Sequence, residues 1–426
     1  MNPLLNSLYP SESPAVVYAV AAVVDKIAAQ RSTNTAQNVS AGAEGLSLLL
    51  VDQSGIAATA AKPAQLRGAN SVEPAFFFSA QTTPDHLAIN EQAMHTSQVG
   101  LRLANTVFVN GKDRTLLGMR WTHDATSNKY VLDNWTDLSA CDVNLVSNKV
   151  RSSVNAPLQP VTRRRSVASS MGNILRQLSN PSSAGPSGAI PASSELEKEL
   201  PKYVEEHGIP HQRVAVWALV EPLNSLLSET QHSRIDVEQS IVNGSRIHRV
   251  VSGGGGWGKK QGLLSLDPET TFRDESMHLL PLDQVLSTRS SDEVPDIPDL
   301  SDLLGKGLEE SIASLSQVAP VGDSIQFLVA TEPDAVAKEQ EDLDSHAISC
   351  SFGVGSSVEG ELVIPQSRPT QDTQASAEDV LVIPNHFGSV SETAISYSQR
   401  SSASEDGQCQ TKISVPGSRV DLDLGL

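Results

Sequence analysis

Strand-like runs lie on both sides of a Ser/Pro/Arg-rich stretch at 151–193, and neither side holds enough of them to bury both faces of a sheet alone. The two sides must therefore share one core. On the first side "GLSLLLVD" (45–52) has the length and apolar density of a buried strand, and "LANTVFVNG" (103–111), "TLLGMRW" (115–121) and "KYVLDNW" (129–135) continue as a meander. Asn110 and Gly111 supply the positive-φ pair that a tight hairpin requires. On the second side "RVAVWALVE" (213–221) and "SRIHRVV" (245–251) read as strands, as do "DSIQFLVA" (323–330) and "EDVLVIP" (378–384) further on.

Helical signals interleave with these. Ser13 and Pro14 ahead of "AVVYAVAAVVDKIAAQ" have the character of an N-cap and a first-turn proline, with Val17, Val20, Val24, Ile27 and Ala28 on one face. "SELE" at 194–197 is a capping box that opens an amphipathic helix as far as Gly208. Within 297–318, Leu300, Leu303, Leu304, Leu308, Ile312 and Leu315 fall at helical spacing. Strands and helices mixed without a strict βαβ repeat predict an α+β fold: a mixed, largely antiparallel sheet with packed helices and long disordered insertions. The expected organisation is a first part of the core at 1–150, a mobile Ser/Pro/Arg-rich linker at 151–193, and a second part of the core at 194–285. An acidic, Ser-rich and partly disordered region with a short helix and strands occupies 286–426.

Charge divides the chain unevenly. Residues 1–250 hold 21 Lys+Arg against 21 Asp+Glu, and residues 251–426 hold 10 against 29, so the whole net charge of −19 lies in the last part. Such an excess repels polyanions and disfavours nucleic-acid binding. The longest apolar run, "PAVVYAVAAVV" (14–24), is too short to cross a bilayer, which takes about 20 residues. It has no basic flank, so a secretory signal is not expected. Three unpaired cysteines, Cys141, Cys350 and Cys409, suit a reducing compartment. Cytoplasm or nucleus is the expected location, with mitochondria kept open.

The one stretch with the look of chemistry is "HRVVSGGGGWGKKQGLLSLDPE" (248–269). Gly253, Gly258 and Lys259 satisfy the G-x-x-x-x-G-K spacing of a phosphate-binding loop, and the loop comes directly after a strand, so its N–H groups could surround an anion. Two features break the nucleotide-hydrolase pattern. Lys260 stands where a hydroxyl should hold Mg²⁺, and the helix that should come next is interrupted by Gly262 and Pro268. That leaves either a structural turn anchored by Trp257 or a Mg²⁺-independent anion cradle made of Gly253, Gly254, Gly255, Gly256, Trp257, Gly258, Lys259 and Lys260. No catalytic or metal-ligand spacing accompanies it. His207 and His211 are separated by "GIP" and cannot share a helical face, and no cofactor is called for.

"RIHRVVSGGGGWGKKQGLLSLDPE", with "LANTVFVNGKDRTLL" and "GDSIQFLVA", resembles a group of uncharacterised proteins from filamentous fungi, over about a third of the chain. The resemblance implies an ordered body around the glycine loop and assigns no activity.

Arg163, Arg164 and Arg165 precede Ser166 in an R-R-x-S context, and Ser179 lies in R-x-x-S-x-P. The cluster reads as a solvated linker charge, as a kinase docking point at Ser166, or as a localisation patch; Ser179 resembles a site read by 14-3-3-type proteins. These residues support two functional expectations. One is a non-catalytic intracellular interaction or scaffold protein with protein partners and no membrane association. The other is a protein, enzyme or not, that binds a phosphate-bearing small ligand through 253–260.

Overall fold

The computed structural model describes residues 4–5, 7, 14–28, 44–51, 55–64, 74–82, 95–103, 115–180, 188–207, 214–223, 234–253, 262–273, 277–287, 317–330, 347–355, 382–401 and 409–425. The first strands are β1 (Val16–Ala22), β2 (Ile56–Pro63), β3 (Ala75–Thr82), β4 (His95–Arg102), β5 (Leu116–Asp124) and β6 (Lys129–Ser147). Then come β7 (Lys149–Asn155), β8 (Leu158–Pro160), β9 (Arg165–Met171), β10 (Ile174–Ser179), β11 (Ala189–Pro191) and helix α1 (Ser194–Glu206). β12 (Val216–Glu221), α2 (Arg234–Val242), β13 (Arg246–Gly253), β14 (Leu264–Leu266), β15 (Leu280–Pro281) and α3 (Leu282–Ser287) complete the middle. The last part supplies β16 (Ser324–Ala330), β17 (Ile348–Val354), β18 (His386–Ser391), β19 (Ile395–Ser401), β20 (Cys409–Ile413) and β21 (Arg419–Gly425).

This architecture corrects the α+β expectation. The body is mostly β, with three short helices among the described residues. A nine-stranded sheet runs β1-β5-β6-β3-β4-β19-β20, with β2 beside β6 and β15 beside β2. The long β6 makes this possible: Lys129–Asp137 pairs with β5, and from Leu138 onward it takes β2 on one edge and β3, in parallel, on the other. A four-stranded sheet, β18-β17-β21-β7, faces the middle of the large one. Phe78, Leu101, Tyr397 and Ile413 from one sheet meet Phe352, Val420 and Leu422 from the other, and the Phe78 and Phe352 rings lie 5.2 Å apart.

The third sheet closes on itself. β12 pairs with β13, β13 with β14, β14 with β10, β10 with β9, β9 with β16, and β16 returns to β12, all antiparallel. This six-stranded barrel has no free edge within its ring, which removes a hazard that open sheets must manage. Its interior holds Val167, Leu175, Val220, Phe327 and Leu264, with Leu196 of α1 packed among them.

β12 and β16 are walls shared by two cores. Val216, Ala218 and Val220 point into the barrel, while Trp217 and Leu219 point into the sandwich; on β16, Phe327 and Val329 face the barrel and Leu328 the sandwich. Burial on both faces explains why "VWALV" and "IQFLV" lack a polar/apolar alternation.

The stretch expected as an N-terminal helix is β1, an antiparallel partner of β5. Its Val20 and the adjoining Val24 pack toward α3, and its Val17 and Ala19 toward Trp121, so both faces are apolar and the run satisfies a helical template equally well. The stretch expected as a mobile linker carries β7 to β11, two of which are barrel staves. Of "GLSLLLVD", the described residues 45–51 join no ladder: Leu46 is 83% exposed, while Leu49 and Val51 rest on the sandwich core and Ser47 Oγ accepts the Gly388 N–H. α1 stands as expected, with its N-cap one residue earlier; Ser193 Oγ donates to Glu197 Oε1 at 2.8 Å. The Asn110-Gly111 hairpin and nearly all of the 297–318 helix lie outside the described residues, as does the start of "EDVLVIP".

Candidate functional site

The glycine run begins at the end of a barrel stave. Gly253 pairs with Leu264, so 254–263 is the connection of the β13-β14 hairpin. Gly253 has φ 150° and a Cβ there would sit 2.5 Å from the Leu263 carbonyl oxygen; Gly262 has φ 83° and a Cβ there would sit 2.5 Å from Pro191 Cβ. Both positions demand glycine, because the backbone approaches its neighbours closely and adopts torsions that a side chain resists. Gly254, Gly255, Gly256, Trp257, Gly258, Lys259 and Lys260 lie outside the described residues. Of the eight expected cradle residues, then, the structure places Gly253 alone.

Beyond β14 the chain leaves the barrel as a strap, 267–273, and crosses the outer face of the large sheet. Lys412 Nζ on β20 holds Asp267 at 2.8 Å and Glu269 at 2.5 Å, and Arg102 on β4 holds the other Glu269 oxygen at 2.5 Å. Arg102 also lies 4.8 Å over the Phe272 ring. Arg273 then reaches Asp142 on β6 at 2.9 Å. Asp142 accepts from Ser79 and Gln98 as well, so a row of polar side chains on β6, β3 and β4 meets the strap's end. Burial raises the Asp142 carboxyl above its ordinary range, opposed by Arg273, Ser79 and Gln98; burial also raises Asp267, but Lys412 and the Glu269 N–H bring it below its ordinary range. The strap was missed by sequence reasoning: its partners on β4, β6 and β20 are more than a hundred residues away, and no local spacing reveals them.

His248 anchors the root of this strap. It stands opposite Ala218 on the barrel side of β13, 1% exposed, and its Nδ1–H donates to the Asp267 carbonyl at 2.8 Å. That bond fixes Nε2 as the bare nitrogen, and Nε2 is buried without a partner. Desolvation, with Arg246 and Lys412 nearby, pushes the imidazole down to about 4.

Cys141 and Cys350 are equally enclosed, whereas His207 is exposed. Cys141 is buried beside Asp142 and its thiol is pushed up to about 12; burial, with Asp423 and Asp421 near, pushes Cys350 up further. His207 stacks on Tyr203 at the end of α1, and His211 lies outside the described residues. Among the described residues no group of three His, Cys, Asp or Glu side chains is arranged to hold a metal.

The two candidate phosphoserines are neighbours on the barrel. Ser166 lies at the start of β9 and Ser179 ends β10, and the Ser166 N–H donates to Ser179 Oγ at 3.1 Å. Two of the three arginines before them are engaged: Arg164 pairs with Glu221 and Arg165 with Glu195, each at 2.9 Å, leaving Arg163 exposed. Glu221 is further held by Ser240 Oγ at 2.7 Å.

Compared with known proteins, the chain matches no family model, no curated protein and no solved structure. Among the described residues no helix is long and apolar enough to cross a membrane.

Proposed function

We propose that this chain is a non-catalytic interaction protein, a β-built body that presents surfaces to protein partners. The observation that carries the reading is the state of the reactive side chains: the His248 imidazole is neutral and sealed, the Cys141 thiol is sealed, and Asp142, Asp267 and Glu269 are held by arginine or lysine. A general base or nucleophile needs access to a substrate and a tuned pKa, and burial here moves both the thiol and the imidazole away from activation. The same pattern speaks against recognition of phosphorylated 163–181 by a 14-3-3-type reader. Such readers take an extended peptide, whereas Ser166 and Ser179 belong to paired strands. A location in the cytoplasm or nucleus fits this reading through the dispersed cysteines.

The rival reading, an anion cradle at 253–260, is separated by thermal and chemical melts with a panel of phosphate compounds. We expect Lys259→Ala and Lys260→Ala to melt like the parent, no compound to stabilise any of them, and Gly262→Ala to lose about 1–3 kcal/mol through its positive φ and its clash with Pro191. Stabilisation by a phosphate compound that disappears in Lys259→Ala transfers the reading to a ligand-binding protein.

A further inference from the structure

β1 forms one end of the nine-stranded sheet, and among the described residues no strand pairs with its outer edge. Its register with β5 fixes which backbone groups face outward. The His123 N–H donates to the Ala15 carbonyl and the Val23 N–H to the Thr115 carbonyl, so the odd-numbered residues exchange hydrogen bonds with β5. In an antiparallel ladder the alternate residues point the other way. The N–H and C=O groups of Val16, Tyr18, Val20 and Ala22 therefore face away from β5.

Edge strands in monomers carry a charge, a proline, a bulge or a cover. The seven residues VVYAVAA hold no charge and no proline, and their ladder with β5 has no bulge. Tyr18 is 41% exposed on this edge. The nearest charge on the neighbouring strand, Arg120 opposite Tyr18, is neutralised by Asp133.

We infer that β1 is an assembly edge that takes the β1 of a second copy of this chain, in antiparallel register about a two-fold axis at Ala19. In this register all four outward-facing residues find partners: Val16 meets Ala22 of the second copy and Tyr18 meets Val20, with each relation repeated by symmetry. Ala19 faces its own copy across the axis in a non-hydrogen-bonded pair, where a small side chain suits the short Cα separation. Charge favours a second copy over a charged peptide. The strand carries no charge and the neighbouring Arg120 is paired with Asp133, so an identical uncharged edge complements it, whereas a charged peptide would find no counter-charge. The inference deepens the interaction-protein reading and rests on it.

The test uses the full chain in sedimentation equilibrium and in cysteine cross-linking. The parent should dimerise. Under mild oxidation Ala19→Cys should join two chains through that position, confirmed by peptide mapping, while Ala22→Cys, displaced from the axis, should not. Val20→Pro removes an N–H that faces outward and leaves the β1-β5 bonds of Ala19 and Ala21 in place. It should weaken dimerisation by about tenfold or more, the loss of two hydrogen bonds by symmetry, with the melting temperature of the body retained. A monomeric parent at all concentrations overturns the inference, as does a dimer that survives Val20→Pro with no Ala19→Cys cross-link. Either result leaves the non-catalytic reading standing, since the Lys259 melts decide that separately.

Discussion

Trp217→Ala should lower the stability of the whole protein by about 3–5 kcal/mol, in a single denaturant transition with an unchanged slope. Trp217 is 2% exposed on the sandwich side of β12, and its Nε1–H donates to Ser414 Oγ at 3.2 Å. Truncation leaves a large cavity and an orphaned hydroxyl in a strand whose other face lines the barrel, so neither core can relax without the other. Met171→Ala, at a hairpin tip where the side chain is 59% exposed, should change stability by less than about 0.5 kcal/mol. Two separated transitions for Trp217→Ala would mean that barrel and sandwich fold independently.

Acid should unfold the protein through His248. The unfolded imidazole takes its proton near the ordinary value of 6.5, whereas the folded one resists until about 4. A base whose folded value is depressed contributes stability that is complete above about pH 6.5. That contribution declines as pH falls toward 4, by about 3 kcal/mol in total from a shift of this size. The cause is structural: a second N–H on the ring would be buried without an acceptor, with Arg246 and Lys412 nearby and only Asp267 as a compensating charge. Asp267, held below its ordinary range, adds in the same direction below about pH 4, while Asp142 and Asp323, raised by burial, act in the opposite sense. Stability measured across pH 4–7 for the parent and His248→Leu checks this. The variant loses the bond to the Asp267 carbonyl at every pH, and its pH slope should be shallower by about one proton. Equal slopes would place the acid sensitivity elsewhere.

The strands of the shared wall were legible in the sequence because "RVAVWALVE" and "DSIQFLVA" are continuous apolar runs of strand length, and two-sided burial accounts for such runs. β5 and the start of β6 were legible from strand-length runs spaced as a meander, although Val131, Leu132 and Trp135 are exposed. β9 and β10 were not. Val167, Leu175 and Leu178 are their buried apolar anchors, set among exposed or half-buried serines and arginines, so composition resembled a linker. The turn between them depends on Gly172 at φ 57°, a signal that a Ser-rich context hides. β1 failed in the opposite way, since apolar residues on both faces fit a helix as well as a strand. At the candidate site the need for positive-φ glycine could be read from the run that starts at Gly253, whereas Gly262 read only as a helix break and its φ of 83° belongs to the hairpin. The strap could not be read, because Arg102, Asp142 and Lys412 reach it from strands distant in sequence.

Residues 165–179 are a structural wall of the barrel and belong to the same cooperative body as β12 and β16, and native-state hydrogen exchange measures this directly. The Val167 N–H donates to the Asp323 carbonyl, and β10 pairs with both β9 and β14. Amides at 165–179 that are bonded within the ladder should therefore exchange only through global opening, with the same free energy and denaturant dependence as those of β12 and β16. Exchange across 165–179 within seconds, at the rate of a free peptide while β12 and β16 stay protected, would contradict the barrel and return this stretch to a linker.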